Sequence, residues 1–144
     1  MAHPHILIIA ARFYEDIADA LIGDAVEAVS AAGGSYEVVE VPGAFEIPAA
    51  MAMAIDGGRF DGYVTLGCVI RGETTHYDYV CGESARGVND LAIRHRVAVG
   101  YGILTTENRD QAWERAGTRK KGKDAAEACL AMIRIKQRFT GDEA

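Results

Sequence analysis

Residues 63–76 read YVTLGCVIRGETTH, an apolar run that passes directly into a polar turn containing glycine. An apolar run of this kind is typical of a strand that is buried on both faces. The segment 77–95 has the spacing of a helix, although Gly82 and Gly87 weaken that prediction. We therefore expect a strand, a turn and a helix in succession.

The same alternation of apolar runs and helical segments occurs along the whole chain. Strands are predicted at 5–10, 36–41, 63–70 and 97–104. Helices are predicted at 14–32, 44–55, 77–95, 109–116 and 123–139. Four strand–helix repeats predict a parallel sheet with right-handed crossovers and with helices on both faces. The fold expected is a single α/β domain over residues 1–144, a three-layer sandwich of the flavodoxin-like kind.

Composition and charge agree with one globular domain, and they disfavour nucleic acid and membrane as partners. The chain has 144 residues, close to the length of about 150 that is typical of one domain. Its 15 Lys and Arg against 21 Asp and Glu give a net charge of −6, which disfavours a general nucleic-acid binder. No apolar run approaches the roughly 20 residues of a membrane span.

The cysteines and the N-terminal segment favour a cytoplasmic protein. Cys68, Cys81 and Cys129 form no closely spaced pair, so neither a zinc site nor a redox pair is predicted, and no metal is expected. Three reduced thiols are typical of the cytosol. The run from His5 to Ala10 is too short for a signal peptide, and no basic segment precedes it.

Polar and aromatic side chains concentrate in the segments that follow the predicted strands. Ligands of open parallel sheets bind beyond the carboxyl ends of the strands, so these segments are the predicted site. They are 12–14, 42–46, 70–76 and 105–108.

The turn 71–76 has the features of an anion site. It opens a helix, where free backbone N–H groups and the helix dipole attract negative charge. Gly72 gives a ligand access to the backbone, and Thr74 and Thr75 add hydroxyl donors. The alternative is that one of these threonines is only an N-cap. Glu73 fits an anion site only through its backbone, with its carboxylate in solvent or paired with Arg71.

Four other side chains have both a functional and a structural interpretation. His76 carries an imidazole, a group that suits proton transfer, and the alternative is a structural histidine. Phe13 suits stacking on a planar ring or packing in the core. Glu46 suits hydrogen bonding to hydroxyls or a place in a first helical turn. Arg115 heads a basic segment that suits phosphate binding or a solvated connector.

Five segments together resemble lumazine synthase, the penultimate enzyme of riboflavin biosynthesis. The resemblance covers about residues 5–139, and the order and spacing of the segments make it specific. The segments are ARF at 11–13, VPGAFEIP at 41–48, LGCVIRGETTHYDYV at 66–80, GILTTEN at 102–108 and QAWERAG at 111–117.

The resemblance implies a transferase that uses two small-molecule substrates and no metal or organic cofactor. The enzymes of this family condense 5-amino-6-(D-ribitylamino)uracil with 3,4-dihydroxy-2-butanone 4-phosphate. The products are 6,7-dimethyl-8-ribityllumazine, phosphate and water. The substrate amine attacks the ketone to form a Schiff base, phosphate leaves, and the ring closes.

The resemblance also implies roles for individual residues. Those expected at the ribitylaminouracil are Phe13, Ala44, Phe45, Glu46, Cys68, Val69, Ile70, Tyr101 and Lys123. Phe13 stacks on the pyrimidine and Glu46 accepts from the ribityl hydroxyls. Those expected at the butanone phosphate are Glu73, Thr74 and Arg115. His76 is the proton-transfer residue, and the catalytic pair is His76 and Arg115.

The family's members are pentamers, pairs of pentamers or sixty-subunit shells, in which neighbouring subunits supply the residues that match Phe13 and Arg115. A homopentamer is therefore the minimum expected assembly. One departure concerns the family's Gly-Asn-Lys-Gly segment, which reads Lys121-Gly122-Lys123-Asp124 here, so that Lys123 is matched to its lysine.

Two other functions remain open from the sequence. A paralogue with the same fold could bind flavin or lumazine as a container with little catalysis. A flavodoxin-like nucleotide binder is the other, but AARF at 10–13 stands where a glycine-rich phosphate loop would follow the first strand.

Overall fold

The computed structural model describes residues 3–141, so residues 1–2 and 142–144 of the predicted domain lie outside the described residues. Its strands are β1 (His5–Ala11), β2 (Ser35–Val41), β3 (Gly62–Ile70) and β4 (Ala98–Thr106). Its α-helices are α1 (Glu15–Ala31), α2 (Ile47–Gly57), α3 (His76–His95), α4 (Arg109–Trp113) and α5 (Lys121–Thr140). A single 3-10 turn, Ala44–Glu46, precedes α2, and a π turn, Glu114–Thr118, follows α4.

The four strands form one parallel sheet in the order β2-β1-β3-β4, which confirms the predicted fold class. The register pairs Ile8 with both Val38 and Val64, and it pairs Ile70 with Thr106. All carboxyl ends therefore lie at the same edge of the sheet. That edge carries the segments in which the site is predicted.

Helices cover both faces of the sheet, as the strand–helix alternation predicts. On one face, α1 and α5 enclose a core that includes Ile8, Leu66 and Cys129. On the other face, α2 and α3 enclose a second core that includes Ile9 and Met51. β1 and β3 are buried on both faces because they occupy the centre of the sheet. β2 lies at an edge and is largely exposed.

The element boundaries differ from the prediction by one to three residues, and the helix predicted from residue 44 begins at Ile47, after the 3-10 turn. The helix predicted at 109–116 is a short α4 followed by a π turn. α3 continues through Gly87 because that glycine packs against Pro48, where a Cβ would come within 2.8 Å of the proline side chain. α5 begins at Lys121 rather than at 123, because Gly122 lies against the backbone of Leu21 in α1.

In the part of the chain that the structure describes, no helix is both long and apolar enough to cross a membrane. Across residues 3–141, no three His, Cys, Asp or Glu side chains converge as metal ligands.

Replacement of Gly100 by Ala tests how closely α5 approaches the sheet. A Cβ at Gly100 would overlap the backbone carbonyl of Ala125 in α5, so the helix would have to move. We expect Gly100→Ala to lower the free energy of unfolding by about 3 kcal/mol, as overpacking of a core does. Denaturant unfolding measures this change.

Gly23→Ala is the matched control, because Gly23 lies within α1 and a Cβ there would meet nothing within 4 Å. Alanine should raise the free energy of unfolding there by about 0.5–1 kcal/mol, since glycine is the weaker helix former. Equal free energies for the two variants would contradict the close approach of α5.

Candidate active site

A cavity of about 560 Å³ opens at the carboxyl ends of β1 and β3. The sequence-predicted residues that line it are Phe13, Ala44, Phe45, Glu46, Cys68, Val69, Ile70 and His76. Sequence reasoning did not single out four further lining residues, although all but Val80 lie in segments where the site is predicted; they are Tyr14, Pro42, Gly43 and Val80. Three chain segments that are distant in sequence therefore meet in one place.

Two phenylalanine side chains at this cavity, Phe13 and Phe45, project from the protein instead of filling its core. Phe13 is 71% exposed and Phe45 is 54% exposed. The ring of Phe13 meets the ring of Tyr14 edge to face, with centroids 5.0 Å apart. One face of Phe13 is thus available to a planar ligand, and the alternative that Phe13 is a core aromatic is wrong.

The 3-10 turn explains why Glu46 lies at the cavity. The backbone N–H of Glu46 donates to the carbonyl of Gly43 at 3.1 Å, which folds the turn back on itself. A Cβ at Gly43 would lie 3.2 Å from Oε1 of Glu46, so glycine leaves space for the carboxylate. Ala44 is buried and anchors the turn to the sheet.

Cys68 lies near the end of β3 as a free thiol. Burial raises the pKa of this thiol to about 11, and a bond with Thr106 only partly offsets that effect. The thiol is therefore neutral at physiological pH and a poor nucleophile. Its place at the cavity suits shape and backbone contacts instead of covalent chemistry.

The turn 72–75 connects this cavity to α3. Within residues 3–141, the backbone N–H groups of Gly72 to Thr75 donate to no backbone carbonyl. Oγ1 of Thr74 accepts from the backbone N–H of His76 at 3.3 Å, so Thr74 also takes part in the helix start. Glu73 is exposed, and the partners of Arg71 are Glu107 and Asp78. Free donors at a helix start suit an anion.

Arg115 and Tyr101 lie at a second cavity of about 420 Å³, between β4 and the start of α5. Nη1 of Arg115 donates to the carbonyl of Gln111 at 3.1 Å, which holds the guanidinium beside the π turn. The hydroxyl of Tyr101 lies 3.4 Å from Oγ of Ser84, and burial raises the pKa of Tyr101. Among the described residues 3–141, none lines both cavities.

Comparison with known proteins decides the family. A model of the family described as 6,7-dimethyl-8-ribityllumazine synthase matches residues 3–137. The chain belongs to this family. The resemblance recognised from the five sequence segments is thereby confirmed.

Individual lumazine synthases match nearly the whole chain. The 6,7-dimethyl-8-ribityllumazine synthase 1 of Rhizobium meliloti (strain 1021) is 53% identical over 146 residues, with 96% of this chain and 95% of that protein covered. The synthase of Bartonella tribocorum is 55% identical, with 94% and 92% covered. The synthase of Agrobacterium fabrum (strain C58 / ATCC 33970) is 51% identical, with 98% and 100% covered.

Lys123, which is matched to the lysine of the family's Gly-Asn-Lys-Gly segment, does not line the cavity that contains Arg115. Lys123 lines a separate groove between α1 and α5, beside Asp24, Glu27 and Glu127. Lys121 lines the Arg115 cavity instead. Lys121 is followed by Gly122, as the lysine of the family's Gly-Asn-Lys-Gly segment is followed by glycine. That pair is the signal that could have indicated Lys121.

The reactivity of Cys68 provides a test of the environment at the first cavity. With a pKa of about 11, the folded thiol should be alkylated slowly at neutral pH, and the rate should rise about tenfold per pH unit beyond pH 9. In the unfolded chain the same thiol should titrate near its reference pKa of about 8.5. Labelling with iodoacetamide and peptide mass spectrometry measures both rates. A plateau near pH 8.5 in the folded protein would contradict the burial.

Proposed function

We propose that this protein condenses 5-amino-6-(D-ribitylamino)uracil with 3,4-dihydroxy-2-butanone 4-phosphate to form 6,7-dimethyl-8-ribityllumazine, a step in riboflavin biosynthesis. It belongs to the lumazine synthases, and the reaction is a transferase-type condensation. The observation that carries the assignment of residues is the first cavity, where eight residues matched to the family's site line one space. A cytoplasmic location is supported by three free cysteines.

The first cavity suits the ribitylaminouracil. The exposed face of Phe13 stacks on the pyrimidine ring, and the backbone of Cys68 to Ile70 binds the polar edge of that ring. Glu46 accepts hydrogen bonds from the ribityl hydroxyls, which extend along the 3-10 turn. An apolar cavity with a few directed polar groups is typical of small-molecule sites.

The turn at Glu73 and Thr74 receives the phosphate of the second substrate. Its backbone N–H groups are free of backbone acceptors among residues 3–141, and it leads into the N-terminus of a helix of 20 residues. Glu73 contributes through its backbone, since its side chain is exposed. Arg115 supplies the positive charge that stabilises phosphate as it leaves, and Lys121 lies beside it.

His76 moves protons in this scheme. The nitrogen of the substrate amine forms a bond to the ketone carbon, and water leaves to give the Schiff base. Loss of the C3 proton and cleavage of the C–O bond to phosphate then leave an enol. The enol tautomerises to a ketone, on which the second amine closes the ring with loss of water. Each step transfers a proton, and the imidazole lies at the cavity where the amine would bind. Holding both substrates together provides a further rate enhancement.

The separation of the two cavities supports a site shared between copies of the chain. Phe13 and His76 line one cavity, whereas Arg115 and Tyr101 line the other, and β4 ends the sheet on that side. A neighbouring copy would bring its Arg115 cavity against the first cavity of this chain. A homopentamer is the smallest closed ring of this family, so we assign it as the minimum assembly.

Activity of the purified protein is tested by the fluorescence of the lumazine product. With both substrates the wild-type protein should exceed the uncatalysed rate. His76→Ala should lower kcat by roughly 100-fold, as loss of a proton-transfer group does. Arg115→Ala should also lower kcat by roughly 100-fold, because the departing phosphate loses its positive charge, and it should raise KM for the butanone phosphate about 10-fold, because charge-assisted hydrogen bonds are lost.

Two results of that assay would contradict the proposal. Tight riboflavin binding with turnover no faster than the blank would indicate the container function. Wild-type kinetics in Arg115→Ala would remove Arg115 from the site.

Mixing of the two inactive variants tests whether the site is shared. His76→Ala keeps the Arg115 cavity intact, and Arg115→Ala keeps the first cavity intact. If neighbours complete each site, oligomers reassembled from equal amounts of both variants should recover about a quarter of wild-type activity. Mixtures that stay as inactive as the separate variants would contradict sharing. The wild-type protein carried through the same dissociation and reassembly is the control.

A further inference from the structure

The side chain of Arg71 spans the turn 72–75 from one end to the other. Arg71 immediately follows β3, and its Nε donates to both carboxylate oxygens of Glu107 at 3.0 and 2.9 Å. Its Nη2 lies 3.4 Å from Oδ1 of Asp78, and its guanidinium lies 4.4 Å from the centre of the Tyr77 ring. Asp78 and Tyr77 belong to the first turn of α3. One side chain thus joins the ends of β3 and β4 to the start of α3.

We infer that Arg71 is a positioning residue for the phosphate-bearing substrate, because it holds the turn 72–75 and the start of α3 at a fixed distance from β4. This inference rests on the proposed function of the turn. Arg71 acts through the backbone of the turn, since its Nε and Nη2 groups are engaged by carboxylates on neighbouring elements.

The turn depends on the Arg71 side chain because it forms few hydrogen bonds of its own. Within residues 3–141, the N–H groups of Gly72 to Thr75 donate to no backbone carbonyl, and residues 71–76 are all exposed. The backbone N–H of Arg71 donates to the carbonyl of Thr106 at 2.9 Å, which fixes only the first residue. The Arg71 side chain fixes the far end. A turn whose donors are left free for an anion must be ordered by contacts outside those donors.

The solvent exposure of the Arg71 ion pairs indicates that they position the turn and contribute little to stability. The side chain of Arg71 is 42% exposed, and both carboxylates are more exposed still. Ion pairs of this kind contribute little to the free energy of unfolding. The planar fork and the stacking on Tyr77 are geometric properties that lysine cannot reproduce. Substitution should therefore change substrate binding with little effect on unfolding.

Arg71→Lys is the test, measured by steady-state kinetics with each substrate varied in turn. We expect KM for the butanone phosphate to rise about 10-fold and KM for the ribitylaminouracil to stay within about twofold. Competitive inhibition by inorganic phosphate should weaken by the same factor as that KM rises. The unfolding midpoint should not change. Arg94→Lys is the matched control, because Arg94 lies near the end of α3 and pairs with one carboxylate, Asp90, far from the turn.

A second variant, Glu107→Gln, removes the main partner of Arg71 while leaving α3 intact. Its effect and that of Arg71→Lys should be non-additive, since both break one interaction. Unchanged KM and unchanged phosphate inhibition in Arg71→Lys would overturn the inference. Equal losses for both substrates with a lower unfolding midpoint would also overturn it, because they indicate a structural role alone. Failure of the wild-type protein to form lumazine would instead overturn the proposed function.

Discussion

The close approach of α5 to the sheet determines the position of the second cavity. Gly100 in β4 lies so near to Ala125 that no side chain fits between strand and helix. A Cβ at Gly62 would come within 2.5 Å of Sγ of Cys129, and Gly122 contacts the backbone of Leu21 in α1. These contacts fix the start of α5, and with it Lys121 beside Arg115. The basic side chains of the cavity are therefore placed by glycines that carry no chemistry themselves.

Arginines tie together the loops at the carboxyl edge of the sheet. Arg12, after β1, bonds to Glu40 of β2 and Asp19 of α1, and Arg109, after β4, pairs with Asp16 of α1. Arg71 makes the corresponding connection after β3. The pairs of Arg71 and Arg109 are exposed, so they contribute little to the free energy of unfolding. Their effect is to order loops that would otherwise vary, which reduces the entropy lost when a ligand binds.

The sequence was sufficient to predict the sheet, the layers and most of the residues at the first cavity. Apolar runs locate strands, and the rule that ligands bind at carboxyl ends locates the loops. The sequence was not sufficient for features that depend on contacts between residues far apart along the chain. Gly87 predicts a less stable helix at α3, yet α3 continues through it because Pro48 occupies the space that a side chain would need. The family's motif indicates Lys123, whereas the contact of Gly122 with Leu21 lets α5 begin earlier and brings Lys121 to the Arg115 cavity.

The net charge of the protein does not describe the local charge at either cavity. The net charge of −6 would repel a phosphorylated substrate if it were spread evenly. The first cavity is mostly apolar and aromatic, while the cavity across β4 holds Arg115 and Lys121, with Asp124 3.4 Å from Lys121. Under the proposed sharing, the phosphate meets the positive charge of Arg115 only where one copy faces another. Assembly then completes the electrostatic environment of the reaction as well as its shape, so a separated subunit would keep a place for the pyrimidine but lack the arginine that stabilises the departing phosphate.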